Sequence, residues 1–283
     1  MTLFTRMKSP LITALLLSGV CFRAFAGGYP VRPGRLTISP TVSYFIANTA
    51  WDKYDVKAPF PNNGQFTAQS YSLYLEYGIS RRWSISQIVS YGINQYKSNV
   101  YTYPYSGVGD LETSLKYYLA NINYKYYFSL AATGIVPASN NASLTYNEYG
   151  AELKLSFASA GSLGGSMNYY FNIDNAVRQY FGNTGPIQYR YSGAFGVILD
   201  RKFQNQISLS TGGYYSVSTN KEFILLNPIN NRNFSFVQAS LSYGHTFSKQ
   251  FTVFVNGGHF ITGRNTANGG NLSLSLIYHI DTR

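Results

Sequence analysis

The chain has 283 residues, a formal net charge of +11 and a single cysteine, and 17% of its residues are aromatic. The basic residues form no cluster or stripe, which argues against a nucleic-acid partner. No segment after residue 26 is apolar for long enough to be a transmembrane helix, which argues against a helical membrane protein.

Residues 1–26 have the features of a cleaved signal peptide. Two basic residues precede a short apolar segment, 11–20, and Ala24-Phe25-Ala26 matches an A-x-A cleavage site. Cys21 leaves a lipoprotein signal as the alternative, although Val20 stands where lipid attachment needs a small residue. Cleavage after Ala26 would leave residues 27–283 as one barrel domain without cysteine.

From residue 35 onward, apolar and polar residues alternate with a period of two. The apolar positions carry no charge, which indicates that this face contacts lipid rather than water. The pattern predicts an all-β fold, a transmembrane antiparallel up-and-down β-barrel with about 12 strands. The predicted strands, in chain order, are 35–46, 68–79, 83–94, 110–119, 124–135, 148–158, 163–172, 188–199, 205–217, 234–245, 251–258 and 270–280.

The connections alternate between short and long. The short ones are 80–82, 120–123, 159–162, 200–204 and 246–250, and the long ones are 47–67, 95–109, 136–147, 173–187, 218–233 and 259–269. This arrangement is typical of bacterial outer-membrane barrels, and an even strand count places both termini in the periplasm. The expected partners are outer-membrane lipids and the barrel assembly machinery. Ten or fourteen strands remain alternatives, because loop 218–233 contains the apolar segment 223–226.

A glycine-containing segment opens the predicted strand 110–119. Its two glycines, Gly107 and Gly109, precede Asp110 and Leu111 and permit a tight turn or a bulge, and no helix follows that would make it a phosphate-binding loop. Together with Leu115-Lys116-Tyr117, the segment resembles one in the phenol meta-pathway family of outer-membrane transporters. The resemblance implies a signal-bearing barrel that takes up small, often aromatic or hydrophobic, compounds.

The polar alternate positions identify candidate permeation residues in the lumen. The charged candidates are Glu76, Glu112, Lys116, Lys125, Glu152, Lys154 and Arg190, and the aromatic ones are Tyr74, Tyr118, Tyr127, Tyr170 and Tyr214. The charges form either a salt-bridge network that stiffens the barrel or a constriction that selects solutes, and one network could do both. The tyrosines form either a track for aromatic solutes or filler. The deeper charges, four bases against three acids, predict a weak positive bias that suits neutral or weakly anionic solutes.

Nothing in the sequence indicates catalysis, a cofactor or a metal site. His245, His259 and His279 are scattered, and no His-x-Ser-Asn-Gly-like segment of an outer-membrane phospholipase is present. The sequence therefore predicts a channel for passive uptake of small, hydrophobic or aromatic solutes. The alternatives are an outer-membrane lipid hydrolase and a structural or adhesive barrel that acts through long loops such as 47–67.

Overall fold

The structure, a computed structural model, describes residues 28–139, 144–163, 167–222, 224, 228 and 231–282. The predicted signal peptide, with Cys21, lies outside this part of the chain, so its cleavage stays a prediction. The strands are β1 (Arg35–Trp51), β2 (Lys57–Pro59), β3 (Gln65–Gly78), β4 (Trp83–Lys97), β5 (Thr102–Val108), β6 (Asp110–Ile122), β7 (Tyr126–Pro137), β8 (Gly150–Leu163), β9 (Met167–Tyr180), β10 (Ile187–Ile198), β11 (Asn205–Val217), β12 (Phe234–Thr246), β13 (Phe251–Arg264) and β14 (Thr266–Asp281). The only helical segment among the described residues is a single turn, Pro61–Asn63, so none is long and apolar enough to cross a membrane.

Twelve antiparallel strands form a closed barrel, as the sequence predicts. Each strand pairs with its neighbours, and β14 pairs with β1 from Arg35 opposite Asp281 to Trp51 opposite Thr266. The other two strands do not change this count. Strand β2 pairs only with the end of β1. Strands β5 and β6 both pair with β4, one after the other, and together occupy a single position in the barrel wall. The break between β5 and β6 is a bulge at Gly109, whose N–H donates to the Ser90 carbonyl at 2.8 Å.

The strands extend further than the sequence analysis predicts. Strand β9 continues to Tyr180, and a single residue, Asn265, separates β13 from β14, so most of 173–187 and 259–269 is strand rather than loop. Likewise, 102–108 is strand within the predicted loop 95–109, and the predicted turn 159–162 belongs to β8. The physical reason is length. A membrane strand needs about 9–11 residues, whereas β1 has 17 and β9 has 14. Beyond the bilayer, both strand faces can be polar, so the alternation disappears.

The alternation within the barrel confirms the predicted inner and outer faces. Leu115, Leu155 and Leu241 are 44%, 48% and 54% exposed on the outside. Their neighbours Ser156 and Ser240 are buried on the inside. The apolar face therefore surrounds the barrel where lipid would be, and the polar face encloses the lumen.

The long-loop end of the barrel is partly filled by its own connections. The connection between β1 and β3 brings Phe60 against Tyr96, with ring centroids 5.5 Å apart, and Phe66 is fully buried beside them. The Tyr96 hydroxyl donates to the Pro61 carbonyl at 3.3 Å. This aromatic cluster packs against the inner face of β1 at Ala47 and narrows that end of the lumen.

Candidate functional site

A cavity of about 410 Å³ lies in the half of the lumen nearer the long loops. Its floor and walls come from strands β1, β4, β6 and β9 to β14, and its cover comes from loop residues such as Tyr146 and Pro228. The Tyr146 hydroxyl donates to the Asn231 carbonyl at 2.8 Å, and the Asn231 side chain donates to the Asn265 carbonyl at 2.9 Å. These bonds join the loops above the cavity to one another.

Arg178 lies at the centre of a charged network on one wall of this cavity. Its Nη2 and Nη1 donate to the two carboxylate oxygens of Glu112 at 2.8 and 3.0 Å. Its Nε donates to Glu152 at 2.8 Å. Arg178 comes from β9, Glu112 from β6 and Glu152 from β8. The bidentate pair of Arg178 and Glu112 satisfies both charges and joins β9 to β6, two strands that do not pair with each other, whereas Glu152 lies directly opposite Arg178 on the neighbouring strand β8.

Arg190 extends the network towards β11. Its Nη1 donates to the same oxygen of Glu152 at 2.6 Å, and its Nη2 donates to the Tyr214 hydroxyl at 2.5 Å. Its guanidinium also lies 4.6 Å from the centroid of the Tyr214 ring. Both arginines that line the cavity are therefore already bonded to carboxylates.

Asp110 is the member of the network without a basic partner. Its Oδ2 accepts from the Tyr180 hydroxyl at 3.2 Å, and Tyr180 in turn accepts from Arg178 at 3.2 Å. Its Oδ1 is shielded from solvent and has no hydrogen-bond donor among the described residues. Asp110 also lines the cavity. An ionised oxygen in this position lacks the bonds that normally compensate a buried charge.

Aromatic rings form the opposite wall. Phe236 on β12 stacks on Phe260 on β13, with centroids 4.5 Å apart and an interplanar angle of 7°. Phe260 lies 5.3 Å from Phe45 on β1, and Phe236 lies 5.0 Å from Tyr214. Together with Phe234, these rings run from the arginine network to the far side of the cavity. The cavity thus has one charged wall and one apolar wall.

Seven of the predicted lumen residues, including Tyr74, belong to two separate hydrogen-bonded networks, and the others lie outside them. Glu112, Glu152, Arg190 and Tyr214 belong to the network just described. Glu76 belongs to a second group, in which its carboxylate is 2.6 Å from Lys116 Nζ and accepts bonds from Ser84 and Tyr74 at 2.7 Å each. Tyr118, Tyr127, Tyr170 and Lys154 also lie on inward-facing strand positions, and Lys154 makes no salt bridge with any described residue. Lys125, by contrast, lies in the turn between β6 and β7, over the Tyr126 ring.

The chain before β1 folds back into the short-turn end of the barrel. Tyr29 packs on Tyr127 with centroids 4.9 Å apart, and a Cβ added at Gly28 would lie 2.6 Å from that of Ala158. The gap that remains beside Tyr29 and Tyr118 is about 10 Å³, close to the space that one water occupies. Burial, and then repulsion from neighbouring tyrosines, raises the pKa of Tyr29 to about 12, so the ring is neutral at physiological pH. This segment therefore narrows the lumen at that end.

Sequence reasoning missed Arg178 and Asp174, which it assigned to loop 173–187 and which lie on inward-facing positions of β9. With Lys125 in a turn, the described strands hold five acids against four bases on the lumen face between the rims. The acids are Glu76, Asp110, Glu112, Glu152 and Asp174, and the bases are Lys116, Lys154, Arg178 and Arg190. The sequence predicts an excess of one base from a set that leaves out Asp110 as a strand-end residue. With Asp110 included, because it lines the cavity, the described lumen residues have an excess of one acid.

The glycine motif and the histidines have separate roles in the structure. Gly109 forms the bulge, where a Cβ would lie 2.5 Å from Ser90 Oγ, and Gly107 precedes it in β5. His245 bonds to Asn205 at 2.7 Å, His279 to Thr37 at 3.0 Å, and His259 is exposed. No group of three or more potential metal ligands occurs within the described ranges.

Comparison with known proteins adds information on the fold. No family model matches the sequence, and the search of curated proteins finds no match. The structure is similar to an outer membrane channel from Pseudomonas putida, with a TM-score of 0.66, 13% identity, and coverage of 91% of this chain and 100% of that one. This is an outer-membrane β-barrel fold. The barrel also resembles the β domain of the Bordetella autotransporter BrkA, with a TM-score of 0.50, 11% identity, and coverage of 87% and 99%. At these identities, the likeness concerns the fold alone.

Proposed function

We propose that the protein is a channel through which small solutes cross the bacterial outer membrane by passive diffusion. The observation that carries this proposal is the cavity of about 410 Å³ inside a closed barrel whose outer face is apolar. A channel needs a site that holds a solute weakly enough to release it, and this cavity combines such a space with a polar lumen. The narrowed ends favour a selective channel over a wide general porin.

The aromatic wall supports hydrophobic or aromatic solutes as the permeants. Phe45, Phe236 and Phe260 offer ring faces to a solute in the cavity, while the opposite wall supplies polar groups that would orient it. The resemblance of segment 107–117 to the phenol meta-pathway family points to the same class of solute. Membership of that family is part of this proposal.

The proposed location follows from the same features. A signal peptide cleaved after Ala26 would deliver the chain to the barrel assembly machinery, and outer-membrane lipids would surround the apolar face. Arg35 and Asp281 lie side by side at the short-turn end, so both termini would face the periplasm in the usual orientation of such barrels. The proposal includes no catalytic activity and no cofactor. The three histidines lie apart and bond to Asn205, Thr37 and a backbone carbonyl.

Single-channel recording in planar bilayers tests this proposal. The reconstituted protein should give steady conductance. Ser90→Trp should lower it, because Ser90 lines the cavity. Val89→Trp is the matched control, since Val89 is the next residue and is 36% exposed on the outer face. Absence of conductance from correctly folded protein, or equal effects of the two substitutions, would contradict the proposal.

A further inference from the structure

The cavity wall contains one acid, Asp110, that forms no salt bridge with a described residue. Arg178 and Arg190 donate to Glu112 and Glu152, which leaves this set of four charges neutral. Asp110 adds a negative charge, and within the described chain it makes no salt bridge. The position beside Asp110 therefore favours a cation over an anion.

The hydrogen bonds of Asp110 lead to the same conclusion. One of its oxygens accepts from Tyr180, and the other has no donor among the described residues. A carboxylate accepts several hydrogen bonds when ionised, and an ammonium group supplies up to three donors. Such a charge-assisted bond is stronger than one to a neutral hydroxyl.

The apolar wall determines what the rest of the solute would be. The stacked rings of Phe236 and Phe260 and the neighbouring Phe45 present apolar surface across the cavity from the charged network. Aromatic faces attract cations and pack well against other rings. A volume of about 410 Å³ is within the range of small-molecule sites and admits a single ring with a short side chain.

We infer that the cavity binds solutes that carry one ammonium group on an apolar, ring-sized body. The ammonium group lies beside Asp110, and the body packs against Phe45, Phe236 and Phe260. The inference deepens the proposed function, because it names the class of solute and rests on the cavity being open to solutes. A carboxylate on the same body meets an acid without a salt bridge and two arginines that are already bonded to carboxylates, so it binds more weakly.

Three probes of nearly equal shape separate the charge states: benzylammonium, benzyl alcohol and benzoate. Their affinities for the folded protein in detergent can be measured by isothermal titration calorimetry, and a blank titration into micelles removes partitioning. Benzylammonium should bind about tenfold or more tightly than benzyl alcohol, as a hydrogen bond to a charged group contributes more than a neutral one. Benzoate should bind most weakly.

Asp110→Asn should abolish the advantage of benzylammonium and leave the affinity for benzyl alcohol within about twofold, because the change removes the charge and keeps the shape. Asp174→Asn is the matched control. Asp174 is also an inward-facing acid with an unpartnered oxygen, but it does not line the cavity. Phe236→Leu should lower the affinities for benzylammonium and benzyl alcohol by a similar factor, because both probes pack the same ring against this wall.

The outcomes separate this inference from the channel proposal. Equal affinities for benzylammonium and benzyl alcohol, or an equal loss in both Asp→Asn variants, would overturn the inference even if the protein conducts. Selective binding that depends on Asp110 in a protein without conductance would support the inference and contradict the channel. If the Asp110→Asn variant does not fold, Asp110→Ser can replace it, and the same loss of preference for benzylammonium over benzyl alcohol is expected.

Discussion

Arg178 on β9 holds both carboxylate oxygens of Glu112 on β6, at 2.8 and 3.0 Å, although β7 and β8 separate these strands in the barrel wall. The contact therefore joins positions of the wall that backbone hydrogen bonds do not connect directly. Arg178 is buried, and its Nε is bonded to Glu152. Removal of its charge would leave two inward-facing carboxylates with one remaining arginine.

Arg178→Met should lower the free energy of unfolding by about 3–5 kcal/mol, because breaking a buried ion pair leaves uncompensated charge. Arg35→Met is the control. Arg35 also lies 2.7 Å from its acid, Asp281, but the pair is partly exposed and should contribute at most about 1 kcal/mol. Urea unfolding in lipid vesicles, followed by tryptophan fluorescence, measures both. Equal losses of unfolding free energy in Arg178→Met and Arg35→Met would contradict a structural role of the network. So would a double variant, Arg178→Met with Glu112→Gln, that recovers none of the stability lost in Arg178→Met.

Leu115→Arg should impair folding into a bilayer, at a cost of about 2–4 kcal/mol near the midplane, because Leu115 faces outward. Ser114→Arg should be tolerated. On the two neighbouring strands, Ser114 lies opposite Ser86 and Thr133. Ser86 in turn lies opposite Glu76, and Thr133 lies opposite Glu152, so the new cation would lie between two acids. Heat-modifiable gel mobility measures the folded fraction. Similar yields for the two variants would place the lipid face elsewhere.

Lys154→Gln should shift the reversal potential in a salt gradient towards cation preference, because Lys154 is an inward-facing base without a salt bridge to any described residue. Lys125→Gln should have little effect, since Lys125 lies in a turn where electrolyte screens its charge. Wild-type protein should itself show a weak cation preference, given the excess of one acid in the lumen. A larger shift from Lys125 than from Lys154 is incompatible with this assignment.

Tyr29→Ala should raise single-channel conductance. Tyr29 packs on Tyr127 inside the short-turn end, and its removal opens the narrow gap beside Tyr118. Tyr126→Ala provides the control, because Tyr126 is 36% exposed on the outside at the same end of the barrel. Unchanged conductance in Tyr29→Ala would show that the segment before β1 does not limit permeation.

The sequence predicts the faces of the strands well because the side-chain period of a strand is two. A run such as Leu111 to Leu119 therefore determines which residues face lipid. The sequence did not identify Arg178 because the alternation of apolar and polar residues is lost in this part of β9. Around it, Asp174 faces the lumen while Asn175 faces outward and accepts a bond from Tyr189 at 2.6 Å, so both faces are polar and the segment resembles a loop.

The composition of the cavity could be predicted only in part. Phe45 shares its parity with Thr41 and Ser43, so its inward direction was available from the sequence. Its proximity to Phe260 depends on closure between β1 and β14 and on the pairing of β13 with β14, which no local pattern reveals. The same holds for Glu112 and Arg178, because their contact depends on the stagger of four successive strands.

The most direct test of the central claim is cysteine modification at the cavity during conductance. The only natural cysteine is Cys21, in the predicted signal peptide, so a mature Ser90→Cys variant would contain a single thiol, beside the cavity. A charged methanethiosulfonate reagent should lower the single-channel current of Ser90→Cys irreversibly and leave that of Leu115→Cys, on the lipid face, unchanged. Current through Ser90→Cys that persists after complete modification, verified by mass spectrometry, would contradict a permeation path through this cavity.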